Sequence, residues 1–276
     1  MVKGKVTGSA SLKETSLIEA RHKEIIKEYY AKRASNYDKQ KARTWKSKLG
    51  FKKEILGKIM YRILEKKPKF GLEVGFGSGR IGLKIVKRFN LDLIGLDISK
   101  QMLILAKQKN FPGRKLHLIV GDADYLPFPN ETFDLLLCIS VLHYMPSLNK
   151  TLEEFSRVMK QNGLLVYGDV TRHELDSKGF IERMERALSP AHWKYYTPDQ
   201  MREKLKQYNF KIMVTEIFKY RKSYTALIQD KAQYFEGRIN AFKKVLESAN
   251  KTERNLYEMG DKDLTLYYTL IFALRT

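Results

Sequence analysis

Hydrophobic residues along the chain fall into short dense runs separated by stretches of helical spacing. Phe70–Val74, Leu91–Asp97, Leu116–Gly121, Phe133–Ile139 and Gly163–Asp169 are nearly continuous apolar runs. Runs of that length, without polar alternation, are those of strands buried on both faces of a sheet. Between them, Arg80–Phe89, Ser99–Asn110 and Leu148–Met159 carry apolar residues at helical spacing, with Ser99 placed to cap its helix. Strand alternating with helix predicts an α/β fold with a doubly wound, mostly parallel sheet. Asn162-Gly163 marks a turn into the fifth strand. Two later runs, Phe210–Phe218 and Leu264–Arg275, bring the expected sheet to seven strands.

The flanks divide the chain further. Residues 1–15 are rich in Lys, Gly, Ser and Thr and read as a disordered tail. Residues 16–66 read as a helical segment: Ile18 to Tyr37 groups Ile18, Ile25, Ile26, Tyr29 and Tyr30, and Phe51 to Leu64 forms a second helix ending before Pro68. Residues 67–276 form the α/β domain. After the fifth strand, Glu174 to Leu188 reads as helix until Ser189-Pro190 breaks it. Thr197-Pro198 then starts another, with Thr197 as its cap. Residues 223–258 interrupt the last two strands with a helical pattern (Phe235, Ile239, Phe242, Leu246) that suits a pocket cap or a dimer face.

The segment Glu73-Val74-Gly75-Phe76-Gly77-Ser78-Gly79-Arg80 carries the strongest chemical signal. A strand runs into an acid, then glycines at alternate positions, then a helix. Glycines there permit a tight turn and close approach of a ligand, and the free N–H groups of the following helix point at the same spot. Two cofactors suit such a turn. Gly77 to Gly82 fits G-x-G-x-x-G, the dinucleotide fingerprint, and keeps an NAD-dependent oxidoreductase as an alternative. However, the strand ends near Val74, so Gly75 opens the turn and Gly82 reads as a helix residue packed near the sheet. Asp97 ends the next strand about twenty residues on, where a carboxylate can take both ribose hydroxyls of either cofactor.

Acid-x-G-x-G-x-G is the pattern of S-adenosylmethionine (SAM) dependent methyltransferases of the Rossmann-like class I. From Tyr30 to about Asp169 the chain resembles their small-molecule, ubiquinone/menaquinone-biosynthesis type. The resemblance implies an antiparallel last strand, an N-terminal helical lid and a C-terminal helical insertion around the seven-stranded sheet. It implies that Tyr30 and Tyr37, within an aromatic…Ala-x-x-Tyr-Asp segment (Ala34, Asp38), fold over the cofactor; packing on the domain explains the same stripe. It also implies that Asp122 faces the adenine amino group. Adenine then lies between Asp97-Ile98 and Asp122-Ala123, with Met102 beside it, and the methionine end lies over Gly75, Gly77 and Gly79, towards Ser140.

Composition narrows the setting. A net charge of +21 and 52 Lys+Arg point to an anionic partner, either an anionic small-molecule acceptor or RNA, or else to a solvated basic surface. Basic density peaks at Lys39, Lys41, Arg43, Lys46, Lys48, Lys52 and Lys53, around Trp45. A small-molecule acceptor is the favoured reading and an RNA-directed enzyme the runner-up. No apolar run is long enough to span a membrane, and the N-terminus lacks a secretory pattern. The single cysteine, Cys138, reads as a buried strand residue. Together these points predict a cytoplasmic protein; the oligomeric state stays open.

Methyl transfer is in-line displacement at a sulfonium carbon, so the expected enzyme aligns reactants and excludes water. His143, just past the fourth strand, is the candidate catalytic base. A brace for its loop explains the same position. Tyr144, Trp193, Tyr195 and Tyr196 are candidates to line the acceptor pocket. The sequence shows no zinc spacing, no Gly-x-Ser-x-Gly elbow, no P-loop and no Asn/Asp-Pro-Pro-aromatic after the fourth strand. The expected function is transfer of a methyl group from SAM to an oxygen or carbon of a small molecule. A SAM-binding protein without catalysis remains a further alternative.

Overall fold

The computed structural model describes residues 7–46, 49–109, 115–232, 235 and 237–276, with side chains for all of these except 7–13, 40–46 and 49–52. Two helices lead, α1 (Thr7–Lys46) and α2 (Leu49–Lys66). Then come β1 (Phe70–Val74), α3 (Gly82–Arg88), β2 (Asp92–Asp97), α4 (Lys100–Lys107), β3 (Leu116–Val120) and β4 (Phe133–Ile139). The chain continues through α5 (Leu148–Val158), β5 (Met159–Thr171), α6 (Phe180–Leu188), α7 (Pro198–Gln207) and β6 (Phe210–Ser223). It closes with α8 (Tyr224–Leu227), α9 (Arg238–Glu247), α10 (Lys251–Leu256) and β7 (Asp263–Arg275).

The sheet has the order β3-β2-β1-β4-β5-β7-β6. β1 pairs in parallel with both β2 and β4, so the strand order reverses beside it. Only β7 runs antiparallel, between β5 and β6. The fold class expected from the sequence is therefore the one observed. Leu72, Leu93, Leu135, Leu136 and Leu137 are fully buried because helices cover both faces.

Several bounds differ from the sequence reading, each for a local reason. The helix of α1 extends back to Thr7, so residues 7–15 continue it rather than forming a tail. Ala10, Leu12, Lys13 and Glu14 are good helix formers, and no proline precedes Pro68. Residues 1–6 lie outside the described residues, as do the side chains of most of the basic run from Lys39 to Lys53. α6 starts at Phe180 rather than Glu174. Gly179 is left-handed (φ 64) and the Asp176 carboxylate accepts from the amides of Phe180 (2.8 Å) and Ile181 (3.2 Å). β6 extends to Ser223, paired with β7 from Phe210↔Arg275 to Ser223↔Asp263. The insertion between these strands builds a second apolar core, where Phe180, Met184, Phe242, Tyr257 and Leu266 meet. Buried ion pairs Lys222–Asp230 (2.6 Å) and Lys231–Glu185 tie it to β6 and α6.

Gly82 opens α3 against β1. A Cβ there would lie 2.3 Å from Glu73 Oε2 and 2.4 Å from the Phe76 ring, so helix and strand approach too closely for any side chain. Gly57, exposed within α2, has nothing within 4 Å of such an atom. Unfolding in urea should therefore separate them. Gly82→Ala should lose about 1–3 kcal/mol by overpacking, while Gly57→Ala should gain about 0.5–1 kcal/mol. Equal effects at the two positions would contradict the packing described.

Candidate active site

A crevice opens at the carboxyl ends of the strands, where the order reverses between β1 and β4. Open α/β sheets bind ligands at such a point because no crossover helix covers it. The floor is the turn after β1. Gly75, Gly77 and Gly79 have φ of 71°, 56° and 75°. A Cβ on Gly75 would lie 2.2 Å from Val141 Cγ2. The amides of Gly75 and Phe76 both donate to the Leu96 carbonyl (2.8 and 3.0 Å), which ties the turn to the end of β2. The Asp97 carboxylate clamps it from the other side. Its oxygens accept from Gly77 N (2.7 Å) and Ser99 N (2.8 Å).

Tyr30, Tyr37, Glu73, Gly75, Gly77 and Asp97 line one cavity with Ile98, Met102, Asp122, Ala123 and Ser140. Gly79 sits behind the lining, where a Cβ would lie 2.8 Å from Leu83, and its part is to turn the chain. The sequence reading missed Lys23, Ile55, Arg80, Ile81 and Tyr268, which also face the cavity. Lysine at helical spacing with Ile26 and Tyr30 was the only available signal for Lys23. Nothing local in the sequence marks Ile55 or Tyr268, which reach the cavity from α2 and β7.

α1 lies across the mouth. Lys23 Nζ donates to Asp122 Oδ2 (2.7 Å) and to the buried Asp124. At the other end, Asp38 Oδ1 accepts from Ser78 Oγ (2.7 Å) and Lys109 Nζ pairs with Asp38 Oδ2 (2.7 Å). These two ties lie 15 residues apart, about 22 Å of helix at 1.5 Å per residue. Tyr29 stacks on Phe235 of the insertion, with ring centroids 5.5 Å apart.

Two acids in the crevice carry unusual electrostatics. Burial pushes the Glu73 carboxyl up to about 8, with the Asp97 charge adding to it and the Gly82 amide opposing. Its Oε2 has no hydrogen-bond partner. Burial pushes Asp97 up to about 6 against the two amides that favour its charge. Burial thus favours the protonated form of Glu73 far more than that of an exposed carboxyl.

His143 does not line the cavity. It is buried, with Nδ1 2.7 Å from Asp169 Oδ1. Its carbonyl accepts from Trp193 N (2.9 Å) and Lys194 N (3.1 Å). Tyr144 reaches the cavity, but Trp193, Tyr195 and Tyr196 do not. Trp193 packs edge-on against His22 of α1, and Tyr195 lies against His143 and His192. The far end of the cavity is formed by Ile55, Ile81, Ile139, Ser140 and Tyr268. There the Ser140 amide donates to the Gly168 carbonyl (2.6 Å), and burial holds the Tyr268 phenol well above its usual range. Among the described residues no cluster of three His, Cys, Asp or Glu side chains is arranged to hold a metal.

Residues 72–167 match the methyltransferase domain family. An uncharacterised protein of Methanocaldococcus jannaschii is 32% identical over 51% of this chain and 64% of its own length. A malonyl-[acyl-carrier protein] O-methyltransferase of Legionella pneumophila is 31% identical over 42% of each chain. A ubiquinone/menaquinone biosynthesis C-methyltransferase of Rickettsia prowazekii is 36% identical over 34% of this chain and 42% of its own. The chain spans about half the length of the curated relatives it matches. The YcgJ protein of Bacillus subtilis has a similar fold, with a TM-score of 0.75, 19% identity, and coverage of 80% of this chain and 98% of its own.

Glu73 gives a pH prediction. Its folded value lies above the 4.5 of the free side chain, so its protonated form is favoured on folding. The stability it contributes is full below about pH 4.5 and is lost as pH rises through about 8. A cationic ligand reverses this preference and drives the proton off. Calorimetry with S-adenosylhomocysteine, whose α-ammonium is cationic, should show tighter binding from pH 6 to 8.5, with proton release. Glu73→Gln should flatten that dependence. A pH-independent affinity in the native protein would contradict the assignment.

Proposed function

We propose that this chain, which carries a class I Rossmann-like SAM-dependent methyltransferase domain, transfers a methyl group from SAM to an oxygen or carbon of a small-molecule acceptor. One observation carries the reading. The glycine turn, Asp97, Asp122 and Ser140 come from four different strand ends, yet they line a single cavity beneath α1. The cytoplasm is the setting of this reading, supported by the single, free and buried Cys138, and no described helix is long and apolar enough to cross a membrane.

The residues present fit the cofactor. Glu73 Oε2, buried and unpartnered, suits the methionyl ammonium. Asp97 suits the ribose hydroxyls. Ile98, Met102 and Ala123 supply an apolar slot for adenine, and Asp122, held by Lys23, stands at its edge. The cofactor brings the activated methyl group, so little covalent chemistry falls to the protein. The turn at Gly75–Gly79 fixes the donor end, and Ser140 with Tyr268 holds the acceptor end. α1 excludes water across the mouth. Ile55, Ile81 and Ile139 favour an apolar body in the acceptor. His143 acts here as a brace, because its ring is bound to Asp169 and its carbonyl ties down the Trp193 loop.

The dinucleotide alternative fares less well. The antiparallel β7 between β5 and β6 departs from the parallel 3-2-1-4-5-6 order of dinucleotide folds, and Gly82 serves helix packing. An RNA-directed enzyme is the second reading. Lys66, Lys67, Lys69 and Lys160 line a cleft at the amino ends of β1 and β5, opposite the cavity. RNA affinity that falls steeply with salt and needs these lysines would favour it.

Calorimetric titration should show S-adenosylhomocysteine binding and no heat with NAD. Asp97→Ala should weaken S-adenosylhomocysteine by at least about tenfold, since a charge-assisted hydrogen bond contributes about 1.5–3 kcal/mol. NAD binding without S-adenosylhomocysteine binding would overturn the reading. His143→Ala should lower the melting temperature and weaken cofactor binding together. If instead it left both intact and, with an acceptor in hand, slowed turnover by about 10²-fold or more, His143 would be a proton acceptor.

A further inference from the structure

The two ends of the cavity differ in charge. Glu73, Asp97, Asp122 and Lys23 line the end that suits the cofactor. At the far end, Ile55, Ile81 and Ile139 stand with two hydroxyl groups, those of Ser140 and Tyr268. Of the charged residues that line the cavity, Arg80 is nearest to that end along the chain, next to Ile81. It belongs to the glycine turn and is already engaged. An acceptor entering here meets hydrocarbon and hydroxyls.

The fold brings these two hydroxyls together by design of the strands around them. Tyr268 of β7 stands opposite Val170 of β5, and Gly168 lies two residues back on the same face. A Cβ on Gly168 would lie 2.6 Å from the Tyr268 hydroxyl and 3.2 Å from Ile139 Cδ1. The phenol therefore crosses β5 through space that a missing side chain leaves open, and its hydroxyl bonds to that of Ser140. Ser140 is itself left-handed, with φ 61°, and its amide is fixed to the Gly168 carbonyl at 2.6 Å. Such backbone is strained in a residue with a Cβ, and it persists where the surroundings over-determine it, as they do at ligand sites. Burial and the nearby Asp169 charge keep the phenol protonated, so it serves as a hydrogen-bonding group rather than a base. Two hydroxyls in contact offer a ligand both a donor and an acceptor.

We propose that the Tyr268–Ser140 hydroxyl pair selects the methyl acceptor, and that the acceptor is a neutral, largely apolar molecule presenting a hydroxyl to this pair. An apolar molecule without the hydroxyl leaves the pair without a partner, and a carboxylate would be buried without a cation. The inference rests on the small-molecule reading above and narrows it. It sets aside the anionic acceptor that the net charge of +21 suggests.

The experiment uses the full chain saturated with S-adenosylhomocysteine and three probes of similar size at about pH 7. These are 2-naphthol, which is neutral and bears a hydroxyl, 2-methylnaphthalene, which lacks it, and the anion 2-naphthoate. Calorimetry should show 2-naphthol binding at least about tenfold tighter than either of the others. Tyr268→Phe removes one hydroxyl and keeps the ring, and should bring 2-naphthol close to 2-methylnaphthalene. The comparison of probes on the native protein stands whether or not that variant folds. Equal affinities for the three probes, or a hydroxyl preference that survives in Tyr268→Phe, would overturn the role of the pair. Tightest binding of 2-naphthoate would transfer selection to a cation such as Arg80 and overturn the neutral acceptor. Binding of S-adenosylhomocysteine with no binding of any probe would overturn this inference and leave the cofactor reading intact. Failure of S-adenosylhomocysteine itself to bind would overturn both.

Discussion

The absence of a side chain at Gly75 is the constraint on which the crevice depends. At φ 71° the chain doubles back under Val141, which already fills the space a Cβ would need. That turn brings the Gly75 and Phe76 amides to the end of β2 and the Gly77 amide to Asp97. Three elements meet there only because the backbone passes so close. Gly82 and Gly95 extend the same logic. Each lets the Phe76 ring lie flat between β1, β2 and α3, with a hypothetical Cβ at 2.4 and 2.5 Å from it. The aromatic ring thus props the turn from below while the glycines leave its upper side open.

Two acids share the floor of the crevice. Glu73 and Asp97 are both buried, and their charges oppose each other. A ligand cation at this floor would relieve that opposition. It places affinity in the ligand's polar tail, while the apolar slot at Ile98 and Met102 reads shape. α1 is tied down at both ends of the mouth, through Lys23 and Asp38.

The sheet and its order of strands were legible in the sequence because buried parallel strands leave dense apolar runs and the intervening helices leave a clear period. The residues at strand ends were legible for the same reason, since placing a strand places the residue that follows it. Glu73, Asp97, Asp122 and Ser140 all lie where that logic puts them. What escaped were contributions from distant segments. Tyr268 enters from β7 because that strand inserts beside β5, a pairing with no local signature. Arg33 has no local mark in the sequence, and only its burial among tyrosines distinguishes it. The start of α6 was misread because a left-handed Gly179 and the capping Asp176 override the helical pattern from Glu174. The aromatic loop at Trp193–Tyr196 packs on His22, His143 and His192 rather than on the cavity.

The central claim is that a SAM-type cofactor lies along the strand ends with its tail over the glycine turn. A crystal structure of the full chain with S-adenosylhomocysteine tests it most directly. The account predicts the adenine between Ile98, Met102 and Ala123, both ribose hydroxyls on Asp97, and the amine at Glu73. A complex with the ligand elsewhere, or reversed so that adenine sits at Ser140 and Tyr268, would contradict it.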